Sequence, residues 1–175
     1  MRLIATPRDA EEAMQDIRQE RAVGFDTETR PAFQKSERYL PALAQIATSN
    51  AVYLFRLQHM DASRELGELL ASAHTAKVGI AVADDLRQLR QMFDFEAQRV
   101  IDPGDIAYRH GLKQSGLRNL AGLFLGFRIP KGSKTTNWAA QRLSEQQIAY
   151  AATDAWASRE LFLCFERLGL LPPHA

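Results

Sequence analysis

Asp26 and Glu28 stand two residues apart at the end of the apolar run Ala22-Val23-Gly24-Phe25. Side chains at i and i+2 of a strand share a face, so both carboxylates can converge on one cation. In Tyr150-Ala151-Ala152-Thr153-Asp154 a phenol and a carboxylate are four residues apart. On a helix that spacing places them on one face, about 5–6 Å apart at Cβ. A third acidic group, Asp84-Asp85, follows Lys77-Val78-Gly79-Ile80-Ala81 at the opening of a helix. Each pattern alone has a plain structural explanation: solvated acids at a strand end, surface residues on a helix, or acids favoured in a first helical turn by the helix dipole. In combination, four carboxylates from a strand end, a helix start and a late helix form the oxygen donor set that hard cations such as Mg²⁺ and Mn²⁺ require. Two such ions can activate a water and stabilise the leaving oxygen of a phosphodiester. Tyr150 is then placed to orient or deprotonate that water.

The rest of the chain must supply the frame. Its 175 residues fit one domain, 1–175, at roughly 150 residues per domain. With 46% hydrophobic and 25% charged residues it has the material for a packed core, which excludes a disordered segment. The 22 Lys and Arg nearly balance the 21 Asp and Glu, for a net charge of +1, which excludes a polybasic coat. Polyanion binding therefore rests on a local patch or on metal ions. The one cysteine, Cys164, makes no internal disulfide, and no Cys/His cluster has zinc-site spacing. There is no signal-peptide-like or membrane-spanning apolar run, so the reading is a soluble, cytoplasmic protein with no membrane partner.

Periodicity predicts the elements in order. A capped helix runs from Thr6-Pro7 to about Glu20, and strands follow at 22–26, 42–47 and 51–55, the last two joined by a turn at Thr48-Ser49-Asn50. A helix over 62–73, a strand at 76–79, a helix over 83–93 and a short strand at 99–101 come next. Asp102-Pro103 then caps a new helical region, with helices near 106–110 and 116–125. Gly126 to Asn137 reads as a loop, and Ser144, three residues before Gln147, opens a helix to about Leu168. Three strands followed by alternating helices and strands make an α/β fold with a mixed five-stranded sheet.

Three blocks, in this order and spacing, resemble the tyrosine branch of the DEDD superfamily of 3′–5′ exonucleases, which includes ribonuclease D and the Werner-type exonuclease domain. They are Gly24-Phe25-Asp26-Thr27-Glu28, Lys77-Val78-Gly79 leading to Asp85, and Tyr150-Ala151-Ala152-Thr153-Asp154-Ala155. Leu43-Ala44-Gln45-Ile46-Ala47 and Thr136-Asn137-Trp138 also look like family segments. The resemblance spans about residues 20 to 168. It implies a ribonuclease H-like fold, with three antiparallel strands and two more parallel to the first. It further implies that Asp26, Glu28, Asp85 and Asp154 bind two Mg²⁺ or Mn²⁺ ions and that Tyr150 orients the water. Spacing from Lys77-Val78-Gly79 selects Asp85 as the third acid, with Asp84 as the alternative.

The activity implied is release of 5′-mononucleotides from the 3′ end of single-stranded DNA or RNA. The alternatives are a nucleic-acid-binding module of the same fold without activity, or an oligoribonuclease-like enzyme acting on dinucleotides. Thr27 is a candidate contact to the terminal nucleotide, or else a strand threonine bonded to a neighbouring backbone. Arg30, Lys35 and Arg38, with Arg128, Lys131, Lys134 and Asn137, are candidates for a local substrate-binding patch; the basic ones otherwise form solvated loops. Phe33 and Tyr39 either stack on bases or belong to the core, and Trp138 packs against the last helix. One domain of near-zero net charge has few groups to grip a long strand, so it acts distributively or forms a homo-oligomer with a larger groove.

Overall fold

A computed structural model describes residues 1–34, 36–130 and 136–172. Lys35, Lys131 and Lys134 lie outside the described residues. In chain order the elements are β1 (Arg2–Ile4), α1 (Pro7–Ile17), β2 (Ala22–Thr29), β3 (Pro41–Ala47), β4 (Val52–Arg56), α2 (Ser63–Ala71), β5 (Ala76–Val78) and α3 (Val82–Leu89). They continue with β6 (Val100–Ile101), α4 (Pro103–Arg109), α5 (Leu117–Leu120), a π-helical turn at Ala121–Leu125 and α6 (Glu145–Arg167). Among the described residues no helix is long and apolar enough to cross a membrane.

The strands form one mixed sheet in the order β1-β4-β3-β2-β5-β6. β2, β3 and β4 are antiparallel, while β5 runs parallel to β2 and β6 parallel to β5. This is the predicted mixed α/β arrangement with one correction: the sheet has six strands, not five. The sixth is β1, parallel to β4 at the far edge. Its three residues bury only Ile4, so they carry no readable alternation. Two helical boundaries also differ. α4 starts at Pro103, directly after its Asp102 cap, and the predicted 116–125 helix is a four-residue α turn that widens into the π-helical turn.

Local chemistry explains the ends of the helices that matter. Thr6 and Asp9 form a reciprocal capping box on α1, and Ser144 and Gln147 do the same on α6, satisfying N–H groups that a helix start leaves unpaired. α3 starts without a side-chain cap, from Ala81 in the left-handed region at φ +56°. The Ala81 N–H donates to Asp102 Oδ2 at 2.7 Å, while Asp102 Oδ1 accepts from Gly104 N at 2.7 Å. One carboxylate thus ties the start of α3 to the start of α4 and holds a conformation that non-glycine residues adopt at a cost.

Helices cover both faces. Val23, Phe25, Ala44 and Ile46 pack with α1, α2 and α3 residues such as Met14, Leu66 and Leu86. On the other face Ala22, Ala76 and Val78 meet Leu161, Phe162 and Phe165 of α6. α6 also covers Leu43 and Leu54 with Ala151 and Ala152. The approach of α6 to β2 is close enough that a β-carbon on residue 24 would overlap the carbonyl oxygen of Ala155 and come within 3.1 Å of Arg159 Cβ. Gly24 is therefore required by contact with backbone, which cannot move aside as a flexible side chain can. Arg159 adds polar anchors, donating to the Ala22 carbonyl at 3.3 Å and to Glu20 at 3.1 Å.

Gly24→Ala should cost at least about 1–3 kcal/mol of stability, the usual penalty of overpacking. Urea unfolding checks this; an unchanged midpoint would mean that α6 is free to shift.

Candidate metal centre

β2 is buried through Phe25 and half-buried from Asp26 onward, so its apolar half anchors the strand and its acidic half reaches the rim. Gly24, Asp26 and Glu28 face α6. Tyr150 and Asp154 lie on the helix face over them, one turn apart. Carboxylate oxygens of Asp26, Glu28 and Asp154 lie within 4.8 Å of one another. Asp154 is 7% exposed, and its Oδ1 is buried with no hydrogen-bond partner among the described residues. Three clustered acids, one with an orphaned buried oxygen, suit a bound divalent ion.

Asp85 is not one of the three acids clustered within 4.8 Å, but its charge acts on Asp26 and Glu28. It is half-buried at the start of α3 and accepts a 2.5 Å hydrogen bond from Thr27 Oγ1. Thr27 alternates with Asp26 and Glu28 along β2, so its hydroxyl faces α3 and fixes an acid. Asp84 is exposed and ion-paired with Arg87, which separates the two neighbouring acids into a solvent-facing and a site-facing one.

The electrostatics follow from burial and like charge. Asp26 is pushed well above the ordinary carboxylate range by burial and by the charges of Asp85, Glu28 and Asp154. Burial, then Asp154 and Asp85, raises Glu28 to about 8. Asp85 and Asp154 are each raised to about 6, chiefly by burial, with Thr27 opposing the shift at Asp85 and Tyr150 and Arg118 opposing it at Asp154. Tyr150 is raised further above its usual range by burial and the neighbouring Asp154 charge, so its hydroxyl remains a proton donor.

A groove of about 910 Å³ runs beside the acids, with Glu28 and Tyr150 in its lining. One wall is the α6 stripe Gln146, Ala149, Tyr150 and Thr153; the other is Ile129-Pro130 and Thr136-Asn137-Trp138. Trp138 is 6% exposed with its ring 6.3 Å from that of Tyr150, so it packs against the last helix. Asn137 is engaged locally: its Oδ1 accepts from Ala139 N and its carbonyl from Gln147 Nε2. The guanidinium of Arg30 lies 4.7 Å from the ring centre of Tyr39, outside the acid cluster. Lys77 is fully buried, its ammonium donating to the Ser72 and Thr75 carbonyls.

Three further residues shape the surroundings. Arg56 is 5% exposed and donates to the Ala140 carbonyl at 2.6 Å, fixing the segment after Trp138. Arg118 donates to the Ile129 carbonyl at 3.1 Å, and its charge favours ionised Asp154. Gln45, fully buried and directly across from Asp26, has neither amide atom hydrogen-bonded among the described residues. Of these only Gln45 lay in a quoted motif, and an isolated glutamine in an apolar run could have marked it.

The profile of the 3′–5′ exonuclease family matches residues 1–169. The chain belongs to the 3′–5′ exonuclease family. All three motif blocks fall inside the matched span. Among curated family members the chain is 31% identical over 156 residues to the mouse bifunctional 3′–5′ exonuclease/ATP-dependent helicase WRN, covering 85% of this chain and 11% of that protein. It is also 31% identical over 152 residues to ribonuclease D of Haemophilus influenzae, covering 85% of this chain and 37% of the relative. The chain thus spans well under half the length of either. Escherichia coli RNase D shares the fold of this family member, with a TM-score of 0.82 at 24% identity, over 99% of this chain and 47% of that one.

The acids of this exonuclease-family centre predict a linked pH dependence. A carboxyl whose folded pKa lies above its unfolded value of about 4 stabilises the metal-free fold below pH 4 and loses that contribution as pH rises through the folded value. The window here extends through about 6 for Asp85 and Asp154 and about 8 for Glu28. A divalent ion needs the ionised acids, so binding releases protons within the same window. The gain in Tm on replacing chelator with Mg²⁺ or Mn²⁺ should be small at pH 5 and grow through pH 8. A gain independent of pH would put the ion at other groups.

Proposed function

We propose that the chain is one cytoplasmic 3′–5′ exonuclease domain acting on the 3′ ends of single-stranded RNA or DNA. The observation that carries this reading is the meeting of Asp26 and Glu28 from β2 with Asp154 from α6 beside the groove that Tyr150 lines. Family membership and the relatives named ribonuclease D and WRN support it.

Asp26, Glu28, Asp85 and Asp154 would hold two Mg²⁺ or Mn²⁺ ions, which supply charge stabilisation and water activation for phosphodiester hydrolysis. The chain's own groups do the positioning. Thr27 holds Asp85 by its hydroxyl, and Gly24 lets α6 carry Asp154 down to β2. Tyr150, one turn from Asp154 and kept protonated, orients the attacking water through its hydroxyl rather than removing its proton. Trp138 backs the Tyr150 ring, and Arg56 and Arg118 secure the opposite wall of the groove.

The test is a time course with 5′-labelled single strands of RNA and DNA and a labelled dinucleotide, each with Mg²⁺, Mn²⁺ or chelator. A metal-dependent ladder shortened from the 3′ end is expected, with Asp26→Asn reduced to the detection limit. Tyr150→Phe should keep the fold and lose about 10²-fold or more in kcat. Unimpaired turnover by Asp26→Asn would sink the assignment. Cleavage of the dinucleotide alone would move it to oligoribonuclease-like chemistry, and binding without cleavage to an inactive module.

A further inference from the structure

The wall of α6 that lines the groove does not stop at Thr153. Gln146, Tyr150 and Thr153 follow one another at spacings of four and three, with Ala149 beside them, and the next positions of the same stripe are Trp156 and Ala157. Ala157 is buried against Ile129, which lines the groove from the other side. Trp156 is 37% exposed and Phe127, two residues before Ile129, is 39% exposed. Their rings meet edge to face, with centroids 5.5 Å apart and planes at 81°. Phe127 and Trp156 thus stand just beyond the described lining, on the same two segments that form its walls.

From this continuity we propose that Phe127 and Trp156 form a base-stacking platform for nucleotides of the strand upstream of the bond being cut. The proposal rests on the exonuclease reading and assigns a gripping surface to it. The described lining of the groove contains the Glu28 carboxylate, amides, hydroxyls and apolar groups but no Lys or Arg. A net charge of +1 provides little general attraction for a polyanion. Stacking depends on neither, because every base has a π face and is held by contact rather than by charge. An edge-to-face pair leaves ring surface that its partner does not cover. The platform accepts RNA and DNA alike, as stacking does not read the 2′-hydroxyl.

The experiment measures affinities of the full chain in chelator, by anisotropy, for 5′-fluorescein strands of two to ten nucleotides in RNA and DNA series. A second set of ten-nucleotide strands carries one abasic site at successive positions. For wild-type protein, affinity should step up once the strand is long enough to reach the platform, and one upstream abasic position should remove that step. Trp156→Leu keeps an apolar side chain without a ring and should lose about tenfold for the ten-nucleotide strands, the order of one stacked base. Its dinucleotide affinity and the slope of log affinity against log salt should be unchanged, since no phosphate contact is removed. Trp156→Phe should restore most of the loss. Equal binding of long strands by wild type and Trp156→Leu, or an equal loss at every strand length, overturns the platform while leaving the exonuclease reading intact. A lower oligomeric state of Trp156→Leu in light scattering overturns it in favour of self-association through this face. Wild-type protein that neither binds nor cleaves any strand overturns the exonuclease reading itself.

Discussion

The backbone of α6 rests directly on β2, with the Ala155 carbonyl in the space that a side chain on residue 24 would fill. Everything in the acidic centre depends on that contact. Asp154 is the residue before Ala155, and Asp26 is two residues beyond Gly24 on the same face of the strand, so the contact sets the separation of the two acids. A side chain at position 24 would lift the helix, and the carboxylates would part before the core lost its packing. The polar anchors of Arg159 on the Ala22 carbonyl and on Glu20 hold the next turn of α6 at the same height. Small residues at Ala151, Ala152 and Ala155 complete a helix face able to lie this close to a sheet.

A centre built this way is electrostatically unfavourable without a cation. Burial favours the protonated form of each of Asp26, Glu28, Asp85 and Asp154, and the charges of the other site acids add to it at Asp26 and Glu28. The surroundings offer modest relief: a hydroxyl for Asp85, and Tyr150 with the distant charge of Arg118 for Asp154. The fold bears this strain because the rest of the molecule is conventionally packed, with apolar clusters on both sheet faces. Strain of this kind, concentrated at one rim of an otherwise consistent structure, is the usual mark of a functional site.

The groove is positioned by a different set of interactions. Its fixed wall is α6, started by the Ser144–Gln147 capping box. The facing wall is irregular chain, and three side-chain contacts hold it: Arg56 to the Ala140 carbonyl, Arg118 to the Ile129 carbonyl and Gln147 to the Asn137 carbonyl. Each uses a side chain from a regular element to satisfy a backbone oxygen of a segment that has no ladder of its own. Aromatic pairs lie on both segments, Trp138 with Tyr150 and Phe127 with Trp156.

The local elements were legible in the sequence because their causes are local. Caps at Thr6, Asp102 and Ser144, the apolar runs of β2 and β3 and the helical spacing of α6 are each written within a few neighbouring residues. So is the pairing of Asp26 with Glu28 and of Tyr150 with Asp154, which strand and helix geometry impose on any chain. β1 was not legible, since three residues with one buried side chain have no period to detect, and its place in the sheet comes from pairing with β4 some fifty residues away. The choice of Asp85 over Asp84 on geometry, the seating of Thr27 on Asp85, and the parts played by Arg56, Arg118 and Gln45 also belong to the tertiary structure alone. These depend on which surfaces meet across the sheet, and a contact between residues 27 and 85 or 56 and 140 leaves no trace in either neighbourhood. The sequence by itself determined which groups could do the chemistry and on which elements they ride. Only packing, governed by the fit of α6 into the space left by Gly24, decided how closely those groups meet and what surrounds them.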